Sequence, residues 1–395
     1  MDKPVTLTFL GDLMCQMQQI SAMRKSGGDW NRIFRDVAHL WADSDYVVGN
    51  LETPVTGKGG FRLAFEEMRF NAPTEFLAAI KHAGINCLTV ANNHILDRGP
   101  SGLDATLDQI RVHEMDAVGA YKYEEDSHAP FVKTIGGIRF AFVACTYDTN
   151  SGRKADMLEE SQLWKVDYIH HPTAFLGTFA FAVKRTVKEL IPYRIKQFIK
   201  RFRTGKGYSN SRPQLDSFPL SDFYLKENQV FLDRICDKIQ AARKIADIVI
   251  ALPHIGGQYN AVPGPWQKAV EEALIKAGAD MVVANHAHTP LEIDWGGSKP
   301  TVVNALGNFC FTPFAGFYND ACQADYSIVV QCKFTAAARQ PVCTGVNLVR
   351  VVVEKDGVAV VRCASWDDPA AQQIAKRVFR NRRVKRIDDI TVELL

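Results

Sequence analysis

An α/β layered fold is predicted by the order of elements in the first third of the chain. Three times, a short apolar strand ends in a polar loop, and a helix separates it from the next strand. This alternation is typical of parallel strands connected by helices. The predicted strands cover residues 5–10, 46–48 and 86–90, and the predicted helices cover 30–41, 73–83 and 102–113.

Local signals support the early elements. The strand at 5–10 is rich in Val, Thr and Phe, and Gly11 and Asp12 follow it directly. The helix at 73–83 begins with a proline and is followed by Gly84, which is the usual asymmetry of helix ends. The first strand therefore carries an acidic residue to its carboxyl end, where ligands bind in open α/β sheets.

The alternation resumes after residue 223. A further strand at 138–145 precedes a segment, 151–223, that breaks the rhythm and is predicted to be an insertion. The sequence predicts a single domain over 1–395, with a basic surface helix or tail at 376–395. The later elements are helices at 227–244 and 265–278, strands at 248–252, 281–283 and 301–303, and β-rich pieces at 326–334, 346–354 and 358–363.

The composition is that of an ordinary globular protein, with 47% hydrophobic and 23% charged residues among 395. The net charge of +3 gives no reason to expect a nucleic-acid partner. No apolar run approaches the roughly 20 residues of a membrane helix, and the N-terminal residues do not resemble a signal peptide. The nine cysteines are scattered without a Cys-x-x-Cys pair, so we expect reduced thiols in a cytoplasmic protein.

A polar loop at 92–99 follows the buried strand at 86–90 and holds two amides, an imidazole and a carboxylate. Such groups are costly to bury without partners. The loop is either a turn whose side chains bond to the backbone, or part of a ligand site.

The other strand ends favour the ligand site. Acids, amides and imidazoles follow five predicted strands, and this mixture of oxygen and nitrogen donors suits Zn, Mn or Fe. Six such groups suffice for two metal ions that share a carboxylate. A single histidine here could equally be a core imidazole with its hydrogen bonds satisfied, but five loops in agreement predict a metal site. The residues are Asp12, Glu52, Asn93 with His94, His254, and His286 with His288.

The segment 184–206 within the insertion is strongly basic, with nine Lys and Arg side chains against the single acid Glu189. Apolar residues are interleaved with these charges. The pattern fits a peripheral membrane contact, or a wall of a pocket for an acidic polymer. It fits best an insertion that packs its apolar stripe on the main domain.

Six short motifs follow the strands in order: Gly11-Asp12, Asn50-Leu51-Glu52, residues 92–99, residues 254–259, His286-Ala287-His288 and residues 306–309. As a set they resemble the CapA family of poly-γ-glutamate capsule synthesis proteins, a branch of the calcineurin-like metallophosphoesterase superfamily. The resemblance runs from residue 5 to about 312 and skips the basic insertion. It implies a four-layer αββα sandwich of the metallophosphoesterase type, with the basic helical insertion added to it.

The resemblance also implies roles for individual residues. One or two divalent ions (Mn, Zn or Fe) would bind, with Glu52 as the bridging carboxylate. His94 and Asp12 would be the catalytic residues, and His94 would protonate a leaving group. The implied metal ligands are Asp12, Glu52, Asn93, His254, His286 and His288. The residues expected to contact substrate are Asn50, Asn92, Gln258, Tyr259 and Asn308.

This sequence departs from the family pattern at three positions. Met14 stands where the phosphoesterase pattern has a histidine, as is usual for the CapA branch, so one metal position loses a ligand. Gln258 stands where CapA-like sequences commonly have Glu, and an amide cannot act as a base. Ala284 replaces a common Gly.

Three functions are consistent with this site. The first is a metal-dependent enzyme, expected to be a hydrolase, acting on poly-γ-glutamate or a similar peptide-like anionic substrate. The same site could support isomerisation, with an acid and a base beside a polarised carbonyl. The second is a non-catalytic polyglutamate-binding component of capsule biosynthesis or export. The third, ordinary phosphoesterase activity, is disfavoured by Met14. We expect a cytoplasmic location, with membrane association through 184–206 as an open alternative.

Overall fold

The computed structural model describes residues 3–57, 69–150, 156–172, 213–295, 300–311, 322–335, 338–380 and 382–395. Two β-sheets stack face to face, and helices cover their outer faces. The basic segment 184–206 lies outside the described residues, so its predicted packing and membrane contact stay predictions. None of the helices within the described ranges is long and apolar enough to cross a membrane.

The first sheet has ten strands among the described residues. They are β1 (Val5–Leu13), β2 (Tyr46–Leu51), β3 (Cys87–Thr89), β4 (Asp116–Val118), β11 (Asn308–Cys310), β12 (Tyr326–Thr335), β13 (Ala338–Val353), β14 (Ala359–Cys363), β15 (Val384–Arg386) and β16 (Thr391–Leu394). The parallel part of the sheet runs β1-β2-β3-β4, and β11 pairs in parallel with β1. Antiparallel strands continue from β1 in the order β12, β13, β16 and β15, with β14 also paired to β13.

The second sheet has six described strands: β5 (Phe131–Ile135), β6 (Ile138–Thr146), β7 (Ile248–His254), β8 (Met281–Val283), β9 (Ile293–Asp294) and β10 (Thr301–Val303). Their order in the sheet is β5-β6-β7-β8-β10-β9. The central strands β6-β7-β8-β10 are parallel, and antiparallel strands close both edges.

Eight α-helices are described: α1 (Met17–Lys25), α2 (Thr74–His82), α3 (Gly99–Val112), α4 (Glu124–Ser127), α5 (Leu220–Phe223), α6 (Lys226–Ile245), α7 (Pro265–Ala277) and α8 (Pro369–Phe379). The predicted helix at 30–41 is wrong, because the structure has two short 3₁₀ helices there, Trp30–Ile33 and Ala38–Trp41. Five of the twelve residues in this segment are Asp, Asn, Phe or Trp, and these are poor helix formers. The predicted helix end at Gly278 is confirmed, since this glycine has φ 119°.

Alternation along the strands explains the layers. In β6, Phe140 and Phe142 face the first sheet, where Phe140 meets Phe334 of β12 edge to face at 5.2 Å. The intervening Ala141 and Val143 belong to a second apolar cluster with α6 and α7. On the outer face of the first sheet, aromatic side chains of the 3₁₀ region pack on α2 and β11. The α/β sandwich expected from the sequence is therefore confirmed.

The structure describes parts of two expected segments, the insertion at 151–223 and the C-terminal region at 376–395. Within 151–223, residues 160–165 form a 3₁₀ helix and Tyr168 pairs with Thr146, so this part lies against the second sheet. Within 376–395, the chain completes α8 and then forms β15 and β16 at the edge of the first sheet. That region is thus a part of the sheet rather than a free tail, because Val392 and Leu394 bury apolar side chains there.

Candidate metal centre

The predicted site residues come together because both sheets direct the carboxyl ends of their parallel strands to the same place. Asp12 lies near the end of β1, with Asn50 of β2 opposite it on one side and Asn308 of β11 on the other. Glu52 directly follows β2, and His254 is the last residue of β7. The remaining donors follow β3 and β8 and are Asn93, His94, His286 and His288.

Four of these residues form the first ligand set: Glu52, Asn93, His254 and His286. The His254 Nε2 atom lies 2.9 Å from Asn93 Oδ1, 3.1 Å from His286 Nδ1 and 3.5 Å from Glu52 Oε1. Ligands bonded to one metal at 2.0–2.1 Å, at angles near 90–110°, lie about 2.9–3.4 Å from each other. The spacing of the donor atoms around His254 is therefore that of a coordination shell.

Three residues form the second ligand set: Asp12, Glu52 and His288. Their donor atoms all lie within 4.8 Å of one another, and His288 Nδ1 is 3.5 Å from Asp12 Oδ2. Asn308 Oδ1 also lies 2.8 Å from His288 Nδ1, and its amide nitrogen donates to the backbone oxygens of His288 and Ala324. These bonds orient the Asn308 oxygen toward His288 Nδ1, the same ring nitrogen that lies beside Asp12 Oδ2.

The carboxylates of the two sets fit a cation. Glu52 is fully buried, and neither of its carboxylate oxygens has a hydrogen-bond partner. Asp12 is equally buried, and its Oδ2 atom also lacks a hydrogen bond. A buried carboxylate that accepts no hydrogen bond is strongly unfavourable unless protonated imidazoles or a bound cation supply compensating positive charge. Because Glu52 belongs to both sets, it is placed to bridge two divalent ions.

Burial and neighbouring charges shift the pKa values of the site residues in different directions. Burial raises the pKa of Asp12, and the nearby Glu52 carboxylate raises it further. Burial opposes ionisation of Glu52 as well, but His254 and His288 outweigh it and lower the pKa of Glu52 to about 2. Burial and the neighbouring His254 lower the pKa of His286 well below its usual value. The His286 ring is therefore neutral, as a metal ligand must be.

His94 is held beside the two ligand sets. The Asp97 carboxylate accepts a hydrogen bond from His94 Nδ1 at 2.8 Å and another from the Phe70 backbone N–H at 2.7 Å. The Phe70 ring stacks on the imidazole with centroids 4.2 Å apart. Burial lowers the pKa of His94, but Asp97 reverses this and the net shift is upward. The His94 Nε2 atom lies 4.0 Å from Glu52 Oε1, so it can present a proton at the site.

Three asparagines expected to contact substrate make hydrogen bonds to the candidate ligands and the nearby backbone, and their contact with substrate stays a prediction. Asn50 donates to Asp12 Oδ1 at 2.8 Å and lies 3.2 Å from His254 Nδ1. Asn92 donates to the Leu51 backbone oxygen at 2.8 Å, and Asn308 orients His288 as described above. All three are buried and their amides are engaged within the protein, because each follows or lies opposite a ligand strand.

Gln258 and Tyr259 remain close to the second ligand set. Gln258 is partly exposed, with its amide nitrogen 3.4 Å from His288 Nε2, and the Tyr259 ring lies 5.4 Å from the His288 ring. Tyr259, His286 and His288 all have positive φ angles, of 57°, 100° and 58°. Such backbone conformations are costly for residues other than glycine and persist mainly at functional sites.

Tyr147 is a site residue that the sequence reasoning missed. It directly follows β6, and its ring lies 4.6 Å from that of His286. Its backbone N–H donates to the His254 oxygen at 3.3 Å, and its hydroxyl interacts with the side chain of Asn93. Tyr147 thus contacts three members of the first ligand set. The available signal was its position, since β6 is another parallel strand that ends at the site.

Asn150, in the same loop, was also missed. Its backbone N–H donates to the Asn93 oxygen at 2.7 Å, and its side-chain nitrogen lies 3.4 Å from His94 Nε2. Met14 was expected to offer no ligand, and the structure places it in an apolar cluster with Phe70 and Phe311. The surface next to His94 is therefore apolar on one side and amide-bearing on the other.

Comparisons with known proteins agree with the motifs. The capsule biosynthesis protein CapA of Bacillus anthracis is 25% identical over 312 residues, which are 78% of this chain and 60% of that protein. The PGA biosynthesis protein CapA of Bacillus subtilis (strain 168) is 24% identical over 313 residues, 78% of this chain and 64% of that protein. The matched part thus spans only about 60% of the length of these curated relatives.

Two solved structures are also similar. A hypothetical protein from Thermus thermophilus has 15% sequence identity and a TM-score of 0.38, with coverage of 92% of this chain and 100% of that one. A novel phosphatase from Mycoplasma pneumoniae has 10% identity and a TM-score of 0.41, with coverage of 94% and 98%. Likenesses this distant support no statement about the chemistry of this chain.

One protein family matches most of the chain. The family described as bacterial capsule synthesis protein PGA_cap matches residues 6–313, which include all of β1 except its first residue, both ligand sets and the strand β11. The chain belongs to this family of bacterial capsule synthesis proteins.

Proposed function

We propose that this protein is a metal-dependent hydrolase that cleaves an amide bond in an anionic, peptide-like polymer of the poly-γ-glutamate class. The observation that carries the proposal is Glu52, whose two buried and unpartnered oxygens are shared by two sets of metal-binding side chains. A structural carboxylate would have its hydrogen bonds satisfied. A catalytic metal site instead keeps positions open for water and substrate.

The metals, when bound, would supply a hydroxide nucleophile at neutral pH and stabilise the negative charge that develops on the substrate oxygen. The protein would supply the proton. His94 is held by Asp97 through Nδ1, so its Nε2 atom can carry a proton to the leaving amine. Asn150, 3.4 Å from that atom, is placed to orient the same group of the substrate.

The substrate class rests on the relatives, whose names refer to capsule and PGA biosynthesis. Met14 supports a reaction other than phosphate-ester cleavage, because a methionine packed against Phe70 and Phe311 adds no ligand to the second set. A cytoplasmic location, expected from the reduced cysteines, stays a prediction.

The test begins with metal analysis of the protein after loading with Mn, Zn or Fe. Turnover is then measured on poly-γ-glutamate, on an α-linked glutamate polymer, on small peptides and on p-nitrophenyl phosphate. We expect bound metal and cleavage of the γ-linked polymer, both abolished in His286→Ala. His128→Ala, which changes an exposed histidine, is the matched control.

Three outcomes would contradict the proposal. Failure to bind any of the metals would remove the enzyme hypothesis altogether. Bound metal with retention of the polymer but no turnover would support a binding role in capsule assembly. Altered polymer stereochemistry without shorter chains would support isomerisation at the same site.

A further inference from the structure

A pair of cysteines far from the ligand sets forms a distinct chemical feature. Cys332 of β12 and Cys343 of β13 are directly opposite each other in the antiparallel pairing of these strands. Their Sγ atoms are 3.0 Å apart, and the two side chains are 0% and 5% exposed. Opposite residues in antiparallel strands have Cα atoms about 4.5–5.5 Å apart, which lies within the range that disulfides span.

We propose that Cys332 and Cys343 are a redox modification site, which an oxidant of the disulfide class such as oxidised glutathione converts to a cross-strand disulfide. This inference is independent of the proposed function. All nine cysteines are free in the structure, as the sequence predicts, and the pairing of β12 with β13 sets these two thiols apart from the others.

The exchange proceeds in two balanced steps. Cys343 is the more accessible thiol and neighbours Val342, which is 60% exposed. Its thiolate attacks one sulfur of oxidised glutathione, forms a mixed disulfide and releases one reduced glutathione. The Cys332 thiolate then attacks the Cys343 sulfur and releases the second. Two protein thiols are oxidised, one glutathione disulfide is reduced, and the two thiol protons pass to the released glutathiones.

The rate of this exchange depends on local opening of the hairpin. Burial raises the pKa of Cys332 well above its usual value, and the neighbouring Cys343 thiol raises the pKa of Cys332 further. Little of Cys332 is therefore thiolate while the hairpin is closed. The register shifts between Gln331 and Cys332 and again between Lys333 and Thr335, which indicates irregular pairing toward the end of the hairpin. We therefore expect slow oxidation of the folded protein and faster oxidation during folding.

The disulfide would act on the strand beside the metal centre. Leu7 of β1 pairs with Cys332 on the opposite side of β12, and β1 continues to Asp12. A disulfide between β12 and β13 would therefore restrain β12, which is the strand that pairs with β1 and supports Asp12. Closing a short loop restricts the unfolded chain only modestly, so we expect the melting temperature to rise by about 3 °C.

Peptide mapping under non-reducing conditions tests the proposal directly. The full chain is equilibrated in glutathione buffers from reducing to oxidising, quenched with an alkylating reagent and digested with trypsin and chymotrypsin. This digestion separates Cys332 in residues 327–333 from Cys343 in residues 340–350. We expect these two peptides joined in the oxidised samples, and a decrease of two in the nine alkylated thiols.

Variants complete the test. Cys332→Ser and Cys343→Ser should each abolish the joined peptide and the rise in melting temperature. Cys363→Ser, on the neighbouring strand β14 with its Sγ 3.7 Å from the Asp36 oxygen, should change neither. Two results would overturn the proposal. One is that all nine thiols are still alkylated after full oxidation and refolding, and the other is a mixed disulfide of glutathione with one cysteine and no joined peptide. This readout comes from the wild-type chain and does not depend on the variants folding.

Discussion

Replacing Tyr147 with phenylalanine is expected to weaken metal binding at the first ligand set by about 10- to 100-fold. The Tyr147 hydroxyl interacts with the Asn93 side chain, whose Oδ1 atom faces His254 Nε2 at 2.9 Å. The carbonyl oxygen of the amide must face the metal, so its nitrogen needs an acceptor on the other side. Removing this acceptor lets the amide rotate and turns an unfavourable N–H toward the site.

The magnitude follows from the orienting role of the tyrosine hydroxyl. Partners that orient metal ligands are worth about 10- to 100-fold in affinity, or roughly 1.4–2.7 kcal/mol. Phenylalanine keeps the ring packed against His286, so the decrease in affinity measures the hydroxyl alone. Calorimetric titration of the metal-free protein with Mn or Zn, with a competing chelator, resolves the two binding steps.

A matched control uses Tyr168, whose hydroxyl lies 3.1 Å from Thr149 Oγ1 in the same loop region. Tyr168→Phe should leave both metal affinities unchanged. An equal decrease at both ligand sets in Tyr147→Phe, or an affinity within about twofold of wild type, would refute the orienting role. Thermal unfolding of the metal-free variants shows whether a change in stability could account for the result.

Three further predictions concern support of the fold and of His94. Lys238→Met leaves the buried Asp167 carboxylate without the ammonium 2.6 Å away, so we expect urea unfolding to show a decrease in stability of about 3–5 kcal/mol, partly restored by adding Asp167→Asn. Burial raises the pKa of Glu271 from 4.5 to about 7. Ionising this carboxyl therefore destabilises the fold as pH rises from 4.5 to 7, by up to about 3 kcal/mol, and Glu271→Gln should be more stable than wild type at pH 8 but not at pH 4. Asp97→Asn should lower turnover about tenfold or more, with unchanged metal content, because His94 is deprived of its charged partner at 2.8 Å.

The convergence of the candidate metal ligands could be predicted from the sequence because their positions follow from topology. Parallel strands in one sheet direct their carboxyl ends to one edge, so Asp12 and Glu52 had to be close neighbours. His254 and His286 follow strands of the second sheet, and the stacking of the two sheets brings them to Glu52. Residue type and strand position together were enough for the ligands.

The supporting contacts could not be predicted in this way. An asparagine at a strand end can bind substrate or orient a neighbour, and only its hydrogen bonds decide, as Asn308 shows with His288. Tyr147 is not a usual metal ligand, so its position carried little weight without the three contacts that the fold gives it. The facing of Cys332 and Cys343 depends on strand register, which a one-residue slip would change.

The central claim is that Glu52 joins two metal positions, and anomalous diffraction from crystals of the Mn-loaded protein tests it most directly. We predict two anomalous peaks, one between Glu52, His254 and His286 and the other between Glu52, Asp12 and His288. Glu52→Gln crystals treated in the same way should lack at least one of them. No peak in contact with Glu52 in the wild-type crystals would contradict the account.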